Sequence, residues 1–352
     1  MSGNGDSDIR VIESKQADPS QVDALLDEAF GPAMRRFLIE HGDWMHGGPG
    51  GRFVATVDGV VAGYRGIIPT RCVLGADELS AVWGVNLYVR PPFRGMGLQR
   101  LLDQRLLEAA ELRMSFPGEL AAKIYAKQGY SIREDLWEWH MPLAPIPYWR
   151  ARRSSARMVA RQAPAAARAG IFQVRTRNYH PRRTEMTDSP DLAVLEDIFR
   201  RNVHPGLAAT VRDTAFLRWR YVASPYRSEL AFYLTSLHGR FTHYAIVRYG
   251  TSPSAPARIL DVFGDFQDDE GLTDLMYAIL RDGSHRQMSH AAVYVSSPEL
   301  ARAVRACRFF PINLHRFRWF AHDPKLHSDF QTAQLCWSLG DSDNDLQAEA
   351  FS

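Results

Sequence analysis

The run Val89-Arg90-Pro91-Pro92-Phe93-Arg94-Gly95-Met96-Gly97-Leu98-Gln99 carries the residue types that grip phosphate. Glycines just after a strand let the chain turn sharply and leave successive N–H groups unobstructed by side chains. The helix expected from Leu98 to Leu112 points its first donors, together worth about half a positive charge, into the same space. Arg94 adds a cation at the edge. The spacing is that of neither a P-loop, because no Gly-Lys-Ser/Thr follows, nor a dinucleotide fingerprint, because a third spaced glycine is missing. The chemistry on offer is main-chain binding of a pyrophosphate by Arg94, Gly95, Met96, Gly97, Leu98 and Gln99, against the plainer reading of a strand-to-helix turn. A second segment, Ala121 to Tyr130, follows on its own helix and holds Tyr125 next to apolar Ile124.

The elements needed to position these residues are legible from periodicity and turn chemistry. Ile9–Glu13 alternates like a short strand. Asp18-Pro19-Ser20 opens a helix with Val22, Leu25, Leu26 and Phe30 on one face, and a second helical stretch runs from Pro32 to His41. After a Gly-rich turn at 47–51 come strands at Arg52–Val57, Val60–Leu74 and Leu79–Val89, the first pair joined by a tight Asp58-Gly59 hairpin. The helix from Leu98 carries Leu98, Leu101, Leu102, Leu106 and Ala109 on one face. A strand at Met114–Phe116, a helix at Glu119–Gln128 and a strand at Ser131–Met141 follow. The second half repeats this grammar. Helices are expected at Asp191–Asn202 and around Phe216–Tyr221, and strands at Leu230–Leu237, Thr242–Tyr249 and Arg258–Phe263. A helix at Leu272–Arg281, a strand at Ala291–Ser296, a helix at Pro298–Cys307 and a strand at Leu314–Phe320 complete it. Helix, meander, helix, strand, helix, strand thus occurs twice, the pattern of an internal duplication.

The chain of 352 residues is 45% hydrophobic and 23% charged, enough for two domains with proper cores. A formal charge of +2 gives no global case for nucleic acid. Cys72, Cys307 and Cys336 are too scattered for a disulfide framework or a metal cluster, so no metal is expected and a reducing cytoplasm fits. The polar N-terminus has no secretory h-region, and no apolar window is long enough to span a membrane. Tyr148–Arg183 stands apart, with ten arginines and no Asp or Glu. It reads as a solvated connector or as a docking surface for an anionic partner.

On its two marked segments the sequence resembles the GCN5-related N-acetyltransferases. That family follows a strand with Pro, an aromatic and Arg-Gly-x-Gly, matched here by Val89 to Gln99. Its later Ala, Tyr and Gly-Phe pattern is matched by Ala121, Tyr125 and Gly129-Tyr130. Gln99 departs from the usual Gly or Ala. The resemblance covers about residues 9–142 and implies an α/β (α+β) fold of two acetyltransferase-like domains, each a mixed, mostly antiparallel sheet flanked by helices. The expected division is a disordered tail at 1–8, an acyl-CoA-binding domain at 9–147, an Arg-rich helix or linker at 148–188, a degenerate domain at 189–340 and a tail at 341–352. In the degenerate half, Asp261 and Asp265 stand where the phosphate loop would be and would repel a pyrophosphate.

The resemblance further implies acetyl-CoA, or another acyl-CoA, as co-substrate and transfer to a primary amine of a small molecule such as an amino sugar, antibiotic or metabolite. The backbone of Leu87 and Val89 would pair with the pantetheine arm, and Tyr125 would be the general acid that protonates the leaving sulfur, unless it is simply core. No single general base is legible. Glu138, His140 and His46 are candidates, each also explicable as structural. Trp219 and Arg220 suit either an acceptor pocket or packing between halves. The alternatives are transfer from an acidic acyl carrier protein docked on the Arg-rich segment, and a non-catalytic module that senses acyl-CoA.

Overall fold

The computed structural model describes residues 7–48, 51–144, 179–251 and 255–343. In the first half, β1 (Ile9–Glu13), α1 (Pro19–Met45), β2 (Arg52–Val57), β3 (Val60–Leu74), β4 (Asp77–Val89), α2 (Leu98–Ala109), β5 (Leu112–Ser115), α3 (Glu119–Lys127) and β6 (Ser131–Pro142) follow in order. The second half runs β7 (Thr184–Thr187), α4 (Leu192–Asn202), β8 (Leu207–Thr210), α5 (Thr214–Leu217), β9 (Leu230–Leu237), β10 (Arg240–Tyr249) and β11 (Ala257–Gly264). It continues through α6 (Asp269–His285), β12 (His290–Val295), α7 (Pro298–Ala306), β13 (Phe310–Ala321), α8 (Pro324–Thr332) and β14 (Gln334–Cys336).

The mixed α/β character and the flanking helices are as expected, and most predicted elements fall within a few residues of their places. Asp58 and Gly59 both take positive φ, as a tight hairpin requires. The two predicted N-terminal helices are the two arms of α1, the first capped by Asp18, and they part at Gly31, whose backbone (φ 78°, ψ 169°) is not helical, where Pro32 denies the helix a donor.

The strands join edge to edge in a single sheet, in the order β1-β2-β3-β4-β5-β13-β6-β12-β11-β10-β9-β7. The parallel pairs along this path are β4 with β5 and β11 with β12. Each half lends its last long strand to the other. β13 pairs with β5, while β6 pairs with β12, and the two exchanged strands pair with each other in the middle. Periodicity reveals that such strands exist but not which neighbour they choose. The consequence is a shared core: Leu25, Trp83 and Leu136 of the first half pack in one buried cluster with Tyr221, Phe317 and Trp337 of the second.

Two of the expected boundaries shift. Residues 1–6 and 145–178, which include most of the expected tail and linker, lie outside the described residues. Residues 184–187 form β7, an edge strand on β9, so the linker expected to run to 188 ends earlier. The expected tail begins too soon, because Asp341, Ser342 and Asp343 are buried. Their place is fixed by a fully buried ion network. Arg212 bonds Asp261 at 2.9 Å, Asp341 at 3.2 Å and the Thr210 carbonyl at 2.7 Å. Burial pushes the Asp341 carboxyl up, against the pull of Arg212. Replacing Arg212→Met strands two carboxylates in the core. We expect it to cost about 3–5 kcal/mol in urea unfolding, the range for breaking a buried pair on one side. A loss below about 1 kcal/mol would show the network to be expendable.

Candidate active site

The site begins with a defect in β4. Opposite the single residue Arg65 of β3, β4 spends two residues, Asn86 and Leu87, between the pairs Gly66–Val85 and Tyr64–Tyr88. Asn86 takes φ 54°, the mark of a bulge, and the strand bends there. β4 pairs with β5 only over Ala81–Trp83. Beyond this the two parallel strands part, and β5 ends at Ser115, whose hydroxyl donates to the Gly84 carbonyl at 3.1 Å. The fork between them opens into a cavity of about 550 Å³. Among its lining residues are Leu87, Phe116, Tyr125, Arg65, Phe30 and Asp343.

The cavity passes through the sheet. Tyr64 turns to one face and packs edge-on against Phe30 of α1, with ring centroids 6.3 Å apart. Its neighbour Arg65 turns to the other face, where its guanidinium carbon lies 5.9 Å from the Tyr125 ring on α3 and its Nη2 is 3.5 Å from Asp103 of α2. Gly84 is required here, since a Cβ at that position would collide with the Arg65 guanidinium. The Tyr125 hydroxyl is buried and has no hydrogen-bond partner among the described residues, and its ring stacks on Tyr130 at 4.7 Å. Burial pushes the phenol up, Arg65 draws it back, and Asp103 pushes it up again, with a net rise. The phenol therefore keeps its proton at neutral pH, as a proton donor must.

The glycine loop follows the end of β4, beyond the stretch that pairs with β5. Gly95 (φ 89°) and Gly97 (φ 79°) both occupy the left-handed region, and nothing stands within 4 Å of where their Cβ atoms would be. Gly97 is the N-cap of α2 and brings no side chain to its free donors. Among the described residues, the amides of Gly95, Met96, Gly97 and Leu98 donate to no protein acceptor outside the helix. Arg94 closes the turn instead. Its amide donates to the Pro91 carbonyl and its Nε to the Val89 carbonyl at 3.1 Å. Gln99, expected to widen the loop or reach the ligand, turns its amide to Asp103. Met96 is exposed. Leu98, Leu102 and Leu106 anchor α2 on the sheet below.

The structure thus brings Leu87 and Tyr125 to one cavity wall, while Val89 and the loop residues follow along the chain beyond Leu87. It does not bring the base candidates there. Glu138 is bound to His140 at 2.7 Å and to Asn313 within the exchanged strands. His46 bonds the Ile67 carbonyl at 2.9 Å, and burial pushes its imidazole down to about 4. Trp219 and Trp44 exchange indole-to-carbonyl hydrogen bonds at 2.7 and 2.8 Å, which ties α1 to the second half. Arg220 holds the C-terminal segment, donating from Nε to the Gly340 carbonyl at 2.6 Å and from Nη2 to the Ser342 carbonyl at 2.8 Å. Two lining residues, Arg65 and Asp343, were not singled out from the sequence. An arginine within the apolar run Val60–Ile68 is itself a signal, because a charge inside a strand needs a buried partner. Nothing in the sequence distinguishes Asp343 from the other acids near the terminus.

The second half handles its own fork differently. β11 pairs with β12 only over Ala257–Ile259 and Ala291–Val293, then parts from it. Asp261 does not face that opening, contrary to expectation, but is buried against Arg212. The chain's own residues Leu339–Asp341 pack on β11, with Gly340 against the Leu260 carbonyl. At the start of α6 the free donors are met by Asp268, which caps Gly271 at 2.9 Å and pairs with Arg183.

Among the described residues no group of side chains could hold a metal ion, and no helix is long and apolar enough to cross a membrane. A family model for the acetyltransferase (GNAT) family matches residues 20–130. No curated protein matches the sequence. The chain is similar in fold to a GCN5-related N-acetyltransferase from Anabaena variabilis ATCC 29413 (14% identity, TM-score 0.61, covering 90% of this chain and 73% of that one). A GCN5-related N-acetyltransferase from Kribbella flavida is similar too (13%, TM-score 0.58, 89% and 72%). So is Saccharomyces cerevisiae N-myristoyltransferase, solved with bound myristoyl-CoA and inhibitors (12%, TM-score 0.57, 89% and 80%). At these identities the likeness is one of fold, while the matched segment holds both the glycine loop and Tyr125. Residues 20–130 thus match the acetyltransferase (GNAT) family, and the chain shares the fold of GCN5-related N-acetyltransferases.

Proposed function

We propose that the chain transfers an acyl group from acyl-CoA to the primary amine of a small molecule, using one fork, that of the first half. The observation that supports this is the set of open, uncapped amides at Gly95–Leu98, which follow the strand whose Leu87 lines a cavity together with the buried Tyr125. The pyrophosphate would lie on the amides of Gly95 to Gln99, with Arg94 at the edge. The pantetheine arm would run beside the unpaired stretch of β4 at Leu87 and Val89, as an added strand does. The thioester supplies an activated acyl carbonyl. Tyr125 donates its proton to the departing sulfur. The Arg65 guanidinium beside it offsets the charge left on the phenolate. The two-domain division follows from the same reading. The second half would be a second acetyltransferase-like unit whose fork is filled by residues 339–341 and whose helix start is blocked by Asp268.

The test is incubation of the full chain with acetyl-CoA and a broad panel of primary amines, following free thiol and acylated product. Amine-dependent thiol release is expected. Binding of acetyl-CoA without transfer to any amine would replace the enzyme reading with a sensing one.

A further inference from the structure

Under α2 lies a buried pair of opposite charges. Arg65 of β3 is 2% exposed and Asp103 of α2 is 4% exposed, with the Arg65 Nη2 and the Asp103 Oδ1 3.5 Å apart. Neither atom has a hydrogen-bond partner among the described residues. The other oxygen of Asp103 accepts from the side-chain amide of Gln99, one turn earlier on α2. A buried ion pair adds stability when close contact and further hydrogen bonds offset the loss of water. At 3.5 Å and without a shared hydrogen bond, this pair is poorly built for that. What it does face is the Tyr125 phenol, whose ring lies 5.9 Å from the Arg65 guanidinium.

The polar groups around Tyr125 are Arg65 from β3, Asp103 from α2, Ser115 from β5 and Tyr130 after α3. Ser115 donates its hydroxyl to the Gly84 carbonyl, and burial pushes the Tyr130 phenol up, so neither brings a charge. Arg113 of β5 acts on Tyr130 and lies 5.1 Å over Phe320. One cation and one carboxylate therefore act on Tyr125 itself, and with opposite sign. Arg65 favours the phenolate and Asp103 opposes it. We propose that Asp103 is a positioning residue for the transfer step: held by Gln99, it keeps Arg65 beside Tyr125 and balances its charge, so that the phenol holds its proton until the sulfur leaves. Gln99, which stands in place of the usual Gly or Ala, thereby has its role within the protein rather than toward the ligand.

This deepens the acyl-transfer reading and rests on it for the chemical step. Tyr125 gives its proton to the departing sulfur as the C–S bond breaks, and Arg65 stabilises the phenolate left behind. The proton lost by the nitrogen as the C–N bond forms restores the phenol. A neutral amine and a thioester thus become an amide and a thiol, with no proton left over.

The experiment is an alkaline titration of the full chain, without substrate, followed by tyrosinate absorbance. Because the chain has 13 tyrosines, Tyr125 is read as the difference between each protein and the same protein carrying Tyr125→Phe. Asp103→Asn, which keeps the shape and removes the charge, is expected to move the ionisation of Tyr125 to lower pH by about one unit or more, the usual effect of a near charge. Arg65→Met is expected to move it to higher pH, and Arg65→Lys to keep it within about half a unit of the native value. The alkaline limb of kcat with acetyl-CoA and a primary amine should shift in the same senses, with KM for acetyl-CoA changed by less than about threefold. An unmoved ionisation in Asp103→Asn would overturn the proposal. So would movement in one direction in both Asp103→Asn and Arg65→Met, since a pair that only ties α2 to the sheet gives the phenol no opposite shifts. Asp103→Asn against the native chain decides the matter even if Arg65→Met does not fold. Absence of thiol release with every amine would count against the acyl-transfer reading, whereas the substrate-free titration alone judges Asp103.

Discussion

Gly97→Glu is expected to abolish acetyl-CoA binding while leaving the fold intact. Gly97 sits at φ 79° with no atom near its Cβ position, so the side chain meets no steric obstacle. Two costs remain. A non-glycine residue in the left-handed region is strained by roughly 1–2 kcal/mol. More important, a carboxylate is placed at the uncapped start of α2, where it meets the amides that would hold the pyrophosphate. At an effective dielectric near 20, two unit charges about 4 Å apart repel by about 4 kcal/mol. That corresponds to roughly a thousandfold in affinity. The carboxylate also satisfies the helix donors from within, as Asp268 does at α6. The measurement is calorimetric titration with acetyl-CoA, beside a thermal melt. A melt within a few degrees of the native one and an affinity within tenfold would remove the glycine loop from the ligand site.

Tyr125→Phe should separate catalysis from binding. Losing the hydroxyl leaves the stacked pair with Tyr130 and removes a proton donor that has no other buried partner. Loss of a positioned general acid typically costs roughly 10²–10⁴-fold in rate. We expect a fall of that order in kcat, with KM for acetyl-CoA changed by less than about threefold, since a merely structural tyrosine would lower both together. Because burial holds the native phenol above its ordinary value, native activity should not decline through loss of this proton between pH 6 and 9. An unchanged kcat in Tyr125→Phe would reduce Tyr125 to core packing.

Much of the fork was legible in the sequence because its parts are local. A Gly-x-Gly after a strand, a helix with leucines every fourth residue and a tyrosine two elements later are short-range patterns, and the elements that carry them lie where the patterns put them. The rest depends on long-range pairing. Glu138 and His140 sit on a strand correctly predicted, yet that strand faces β12 and β13, so neither residue reaches the cavity. Arg65 needed knowledge of the β4 bulge that turns Asn86 and Leu87 opposite it. Asp261 was expected to act as loop chemistry, but it lies inside β11, and its carboxylate is taken up by Arg212 from a distant part of the chain. Asp343 could not be read at all: its position comes from Arg212 and Arg220, more than a hundred residues earlier, gripping the segment before it.

The most direct test is the stoichiometry of acetyl-CoA on the full chain, read by calorimetry. One molecule per chain is expected, displaced by coenzyme A. Two per chain would mean that residues 339–341 leave the second fork open. None would mean that the amides at Gly95–Leu98 hold nothing, and the account of the first fork would fall with them.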